Sequence, residues 1–237
     1  MKKIIILHGW SLTGKKYHEL QSILEENNFK VFAPNMPGFG SEPLRNHSMN
    51  ISDYVDFLHT FYKKNSISSA IIIGHSFGGR IGAKYAVQYP KQVEKIIFTG
   101  APLIGQPLSL KKNIVRYITQ KGKIIVRFTP RSFQRPIRWG IYRFIGEWDY
   151  YKSQDLQETF KNIIREDASV YIPKIKVPAL VLWGENDSLV PMSVGRKIMS
   201  MMPNAVFEKI YNAGHGVIYS HPQEFAKSVL SFITQPI

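Results

Sequence analysis

The chain of 237 residues contains no cysteine. That one absence removes disulfide scaffolds, thiolate zinc sites, iron–sulfur clusters and cysteine nucleophiles together, and it permits a reducing compartment. Long apolar runs are missing too. The run from Ile4 to Leu7 behind Met1-Lys2-Lys3 stops at His8-Gly9, whereas a secretory core needs roughly 7 to 15 residues. No apolar stretch approaches the roughly 18 to 20 residues that span a bilayer, so the chain is expected to be soluble and cytoplasmic, with peripheral membrane contact left open. Acidic residues are scarce: 17 Asp plus Glu stand against 31 Lys plus Arg, a net charge of +14. Such an excess bears on solubility and on attraction to anions rather than on fold. The scarcity is local. Between Glu94 and Glu147 no acidic residue occurs, while Lys111, Lys112, Arg116, Lys121, Lys123, Arg127, Arg131, Arg135, Arg138 and Arg143 crowd that stretch. No His, Asp and Glu cluster has metal-ligand spacing, so neither a metal nor another cofactor is expected.

What is present is globular. Hydrophobic residues make up 44% and charged residues 20%, which excludes a disordered or collagen-like chain and fits one domain carrying an insertion. Six short β-branched-rich runs end at or just before Gly, Pro or Asn: Lys2 to Leu7, Phe29 to Pro34, Ser69 to Gly74, Val93 to Gly100, Val177 to Gly184 and Ala205 to Tyr211. They read as buried strands. Between them Tyr17 to Asn28, Ile51 to Lys64, Phe77 to Tyr89, Pro191 to Met202 and Pro222 to Ile233 carry helical period. Alternation of this kind predicts an α/β fold, a mainly parallel, doubly wound sheet with helices on both faces. Ligands then sit at the carboxyl ends of the strands. From Leu103 to Ile172 the alternation lapses into helical period and aromatics, and a structureless loop of that length is improbable. The division expected is a core of residues 1–102 and 173–237 with a helical cap at 103–172.

Directly after the third strand run stands Gly74-His75-Ser76-Phe77-Gly78, followed by Gly79 and an amphipathic helix. Strand, sharp turn and helix are the required context of a nucleophile elbow. A serine in such a turn needs small neighbours two residues to either side, because side chains there would collide with the crossing strand and helix. The hydroxyl is a weak nucleophile near neutral pH and needs an adjacent base, itself oriented by a carboxylate. In this architecture the chain order is Ser, acid, His. The fifth strand run leads into Glu185-Asn186-Asp187 and the sixth into Ala213-Gly214-His215-Gly216, so both partners arrive at the right edge in the right order.

These features, with His8-Gly9-Trp10 and the Pro37-Gly38-Phe39-Gly40-Ser41 loop, resemble the α/β-hydrolase superfamily over nearly the whole chain outside the cap. The resemblance implies that Ser76 is the nucleophile, His215 the base and then the acid, and Asp187 the orienting carboxylate, with Glu185 as its rival. It also implies an oxyanion hole made by the backbone amides of Trp10 and Phe77. Phe77 opens a helix, where amides lack intrahelical partners and suit a developing negative charge. Asn35 departs from the pattern, since relatives usually carry Asp there. Serine at the elbow sets the chain apart from superfamily members that use an aspartate nucleophile.

The expected activity is carboxylic-ester hydrolysis through an acyl-enzyme. The alternatives are a carbon–carbon bond hydrolase with the same triad and a noncatalytic binding protein on this scaffold. Substrate choice should come from the cap, where Leu108, Leu110, Ile114, Val115 and Ile118 share one helical face and Lys111, Lys112 and Arg116 another. The partners expected are a small-molecule ester and, through the basic cap, an acidic carrier protein or an anionic membrane surface, or solvent alone. No nucleic acid is expected, because no binding motif accompanies the charge.

Overall fold

A computed structural model describes residues 1–105 and 156–234. The six strand runs become one sheet: β1 Lys3–Leu7, β2 Lys30–Phe32, β3 Ala70–His75, β4 Val93–Thr99, β5 Ala179–Gly184 and β6 Ala205–Ile210. Their order is β2-β1-β3-β4-β5-β6, and every neighbouring pair is parallel, with Ile5 opposite Ile72 and Ile97 opposite Leu180. The inner strands β1, β3 and β5 are buried and largely apolar because both faces are covered. Ile4, Ile6, Ile71, Ile73, Leu180 and Leu182 point to one cluster with Leu20, Leu24, Phe225 and Val229. Ile5, Leu7, Ile72, Phe98, Val181 and Trp183 point to the other with Tyr54, Leu58, Ile81 and Ile198. Period-two alternation therefore survives inside runs that look uniformly hydrophobic.

The helices among the described residues are α1 His18–Glu26, α2 Ile51–Lys64, α3 Phe77–Gln88, α4 Gln157–Arg165, α5 Met192–Ser200, α6 Val217–Ser220 and α7 Pro222–Thr234. Asn50 starts α2 sharply. Its side chain accepts from the amides of Ser52 and Asp53, and the Asp53 carboxylate accepts from the Asn50 amide, a capping box. No described helix is long and apolar enough to cross a membrane.

Sheet order reverses at β1, whose chain continues to β2 on one side while β3 lies on the other. The carboxyl ends of β1 and β3 therefore form a topological switch point, the position where such sheets open a crevice. Most of the expected cap, residues 106–155, lies outside the described residues. Its end is anchored to the core. Arg80 on α3 donates to the carbonyls of Pro102 at 2.6 Å, Ile163 at 2.9 Å and Glu166. One guanidinium thus holds the chain on both sides of the undescribed segment. Lys84 adds an ion pair to Glu166.

Candidate active site

Ser76 follows β3 with φ 52° and ψ −113°, a left-handed backbone that a serine adopts only when its surroundings enforce it. Its amide donates to the carbonyl of Thr99 at the end of β4, 2.9 Å away. The flanking glycines are obligatory on steric grounds. A Cβ at Gly78 would lie 2.1 Å from the Leu7 carbonyl oxygen on β1, and one at Gly74 would lie 2.7 Å from the Gly79 Cα. Strand β1 and helix α3 can approach the turn so closely only because those side chains are missing. The first residue of α3, Phe77, presents its amide at a helix start, where the helix itself supplies no acceptor.

Asp187 is nearly inaccessible, and each carboxylate oxygen has its own task. Oδ1 accepts from the amides of Leu189 at 3.0 Å and Val190 at 2.8 Å, which lock the group in its turn. Oδ2 faces Nδ1 of His215 at 2.9 Å. Glu185, the rival carboxylate, is instead bound to Lys209 at 2.8 Å, and that ammonium holds its carboxyl below the usual carboxylate range. The imidazole of His215 lies over Gly100, where φ is +56° and a Cβ would come within 2.8 Å of the ring. Gly100 directly follows Thr99, whose carbonyl binds the Ser76 amide. The ends of β3, β4 and β5 and the loop after β6 are thereby gathered at one rim.

At β1 the loop is fixed through His8. The Met36 amide can only donate, and it meets His8 Nε2 at 2.8 Å. The ring proton therefore sits on Nδ1, which donates to the Gly9 carbonyl at 2.9 Å. Burial pushes the His8 pKa down to about 4, so the ring stays neutral near pH 7. The Gly9 carbonyl belongs to the same peptide group as the Trp10 amide, and its orientation is set by His8. The Trp10 ring packs edge-on against Phe39 and Phe77, with centroids 4.9 and 5.4 Å away, and against Phe160 of α4 at 5.1 Å. Trp10 and Phe77 are thus neighbours. Asn35 keeps its loop bonded: its side-chain oxygen accepts from the Gly14 amide at 2.9 Å, as a carboxylate would. Its amide nitrogen reaches Ser41 Oγ at 3.4 Å, a bond that an aspartate there could not donate.

Two residues that sequence reasoning did not place at the site are built into it. His75 contacts the phenol oxygen of Tyr17 through Nδ1 at 2.8 Å and the carbonyl of His215 through Nε2 at 3.1 Å. Tyr17 also accepts from the Gly9 amide at 2.9 Å. Only the position of His75 beside Ser76 hinted at this. His18 and His47 are exposed, His59 stacks on Tyr89, and His221 binds Ser220. Asp167 is exposed and caps a short turn through Ser169, while Asp155 lies outside the described residues. Among the described residues no cluster of His, Asp and Glu is arranged to hold a metal ion.

The comparisons with known proteins agree on the fold. Residues 2–122 match the family described as alpha/beta hydrolase fold. The chain is similar to the pimeloyl-(acyl-carrier protein) methyl ester esterase of Shewanella woodyi, at 26% identity over 256 residues, covering 99% of this chain and 94% of that one. It is also similar to the 2-hydroxy-6-oxononadienedioate/2-hydroxy-6-oxononatrienedioate hydrolase of Burkholderia vietnamiensis, at 23% identity, covering 97% of this chain and 86% of that one. Among solved structures, an esterase from Exiguobacterium antarcticum superimposes with a TM-score of 0.75 at 16% identity, covering 99% of this chain and 92% of that one.

Proposed function

The chain belongs to the alpha/beta hydrolase family, and from that premise we propose that it is a serine hydrolase of carboxylic esters, with Ser76 as nucleophile, His215 as base and acid, and Asp187 as orienting carboxylate. The observation that carries this reading is the 2.9 Å contact between Asp187 Oδ2 and His215 Nδ1 at the rim where Ser76 is held at positive φ. A buried carboxylate on Nδ1 keeps the proton on that nitrogen and leaves Nε2 with a lone pair, the form needed to take a hydroxyl proton.

In the first half-reaction His215 Nε2 removes the Ser76 hydroxyl proton as Oγ attacks the ester carbonyl carbon. The carbonyl electron pair moves onto oxygen. The amides of Trp10 and Phe77 receive that oxyanion, and each such donor is worth roughly 10²- to 10³-fold in rate. The tetrahedral species collapses, the carbon–oxygen bond to the alcohol breaks, and His215 protonates the departing alkoxide. In the second half-reaction water, deprotonated by His215, attacks the acyl-Ser76 carbonyl; the bond to Oγ breaks, His215 returns the proton to Ser76, and the acid leaves.

The Burkholderia relative motivates a second reading, in which the same hydroxyl cleaves a carbon–carbon bond beside a ketone. A panel of esters graded in acyl length and charge, run beside a vinylogous 1,5-diketone, separates the two. Ester turnover that falls by roughly 10⁴- to 10⁶-fold in Ser76→Ala supports the first reading. Turnover of the diketone alone favours the second. Unchanged ester turnover in folded Ser76→Ala overturns the triad. The Shewanella relative is named for an ester on an acyl carrier protein, and the basic stretch from Lys111 to Arg143 suits a carrier of negative charge. Faster turnover of a carrier-bound ester than of the free ester at low salt, lost as salt rises, is the result expected.

A further inference from the structure

The polar groups behind the site form a single chain of hydrogen bonds whose every proton can be assigned. The Gly9 amide can only donate, so Tyr17 Oη accepts from it at 2.9 Å. The His215 carbonyl can only accept, so His75 Nε2, 3.1 Å away, carries a proton. A neutral ring protonated on Nε2 has a lone pair on Nδ1, which accepts the Tyr17 hydroxyl proton across 2.8 Å. Burial pushes the His75 pKa down to about 3, with the neighbouring His215 adding to the shift, and the neutral form is the one this pattern needs. Both residues are buried, at 0% exposure for Tyr17 and 1% for His75.

We propose that Tyr17 and His75 are positioning residues: their relay ties the main chain of the oxyanion loop at Gly9 to the main chain of the general base at His215. The inference rests on the serine-hydrolase reading and deepens it. Its geometric basis is that the relay spans the loop after β1, the last residue of β3 and the loop after β6, and that its middle member is joined by one peptide bond to Ser76. Nothing covalent is closer than the sheet itself. His8 grips the Gly9 carbonyl on one side of the site, and Asp187 grips the His215 ring on the other. Among the described residues the relay joins those two clamps by hydrogen bonds, beside the ring contact between Tyr17 and Tyr219. It uses no solvent, and its direction cannot reverse without setting a lone pair against the His215 carbonyl. Small misplacements of reacting groups are costly, up to about 100-fold for about 1 Å.

Tyr17→Phe keeps the ring and removes both bonds of the phenol oxygen. The expected result with an ester substrate is a kcat lowered about 10- to 100-fold with KM within about twofold of wild type, because the groups displaced act on the transition state. Labelling by a fluorophosphonate should slow in parallel. His75→Asn, too short to reach the His215 carbonyl, should show the same split, while His75→Gln, long enough to donate to it, should recover part of the loss. Long-range ¹H–¹⁵N spectra of wild type should show His75 neutral and protonated on Nε2 from pH 8 down to pH 5. A folded Tyr17→Phe with kcat within twofold of wild type overturns the proposal, as does a His75 ring protonated on Nδ1. If Tyr17→Phe does not fold, the spectra and the His75 pair decide. Ser76→Ala separates the two levels: loss of turnover there with none in Tyr17→Phe removes the relay alone, and retention of turnover in Ser76→Ala removes the reading beneath it.

Discussion

The two ends of the sheet are built by opposite means. At the amino end, left-handed residues stop helices: Asn28 at φ 64° follows α1 and Ser66 at φ 50° follows α2. Lysines there serve as caps, with Lys3 donating to the Ser66 carbonyl at 2.7 Å and Lys95 to the Phe232 carbonyl at 3.1 Å. At the carboxyl end, left-handed residues turn strands: Ser11, Ser76, Gly100 and Asn212 lie just beyond β1, β3, β4 and β6. The buried polar groups at that rim are neutral or paired, namely His8, His75, Thr99 and Asp187. One end uses conformation to finish secondary structure, the other to aim side chains at a common point, and strain gathered in this way is a mark of a functional rim.

Substitutions at the rim should cost activity and leave the fold, and the reverse should hold at the amino end. The largest contrast is between two carboxylates in one loop. Asp187→Asn is expected to lower kcat by roughly 10³- to 10⁴-fold, because an amide there can hold His215 in the wrong tautomer. Glu185→Gln, which loses the half-buried ion pair with Lys209 and weakens a bond from the Asn212 amide, should leave kcat within about twofold, and steady-state kinetics on one ester read both. A larger effect from Glu185→Gln than from Asp187→Asn would exchange their roles.

Acid sharpens the comparison through stability. His8 and His75 have pKa values of about 4 and about 3 in the folded chain, against about 6.5 in an unfolded one. The unfolded chain therefore binds more protons as pH falls, and stability drops. The contribution is complete above about pH 7 and is lost from about 6.5 downward, at up to about 1.4 kcal/mol per pH unit for each ring, levelling off near 4 for His8 and near 3 for His75. Denaturant midpoints measured from pH 7.5 to pH 4.5 check this. Replacing His75 by Gln should flatten the slope by the share of one ring.

The smallest effect belongs to the amino end. Lys95→Met keeps the stem and removes the donor to the end of α7, so a loss of about 1 kcal/mol in a urea titration is expected with kcat unchanged. A fall in kcat there would blur the division between the two ends.

Much of this was legible in order of residues. The sequence places each strand run to within two residues, because the runs are rich in β-branched residues and stop at or just before turn residues, as at Leu7 before His8-Gly9. Helix α2 spans Ile51–Lys64, as its period predicts, and Asn50 with Asp53 fixes its start locally. Ser76, Asp187 and His215 could be nominated because each follows a strand. The relay could not. Tyr17 meets His75 across 58 residues of chain, and nothing in the amphipathic pattern around Tyr17 separates it from an ordinary core aromatic. Arg80 was likewise hidden, because its acceptors are backbone carbonyls, which leave no trace in residue type.

The most direct test is covalent. Incubated with a fluorophosphonate and digested, the folded wild-type protein should carry one label, on the peptide containing Ser76, with labelling abolished in Ser76→Ala and slowed by orders of magnitude in His215→Ala. A folded protein that takes no label, or takes it on another residue, contradicts the account.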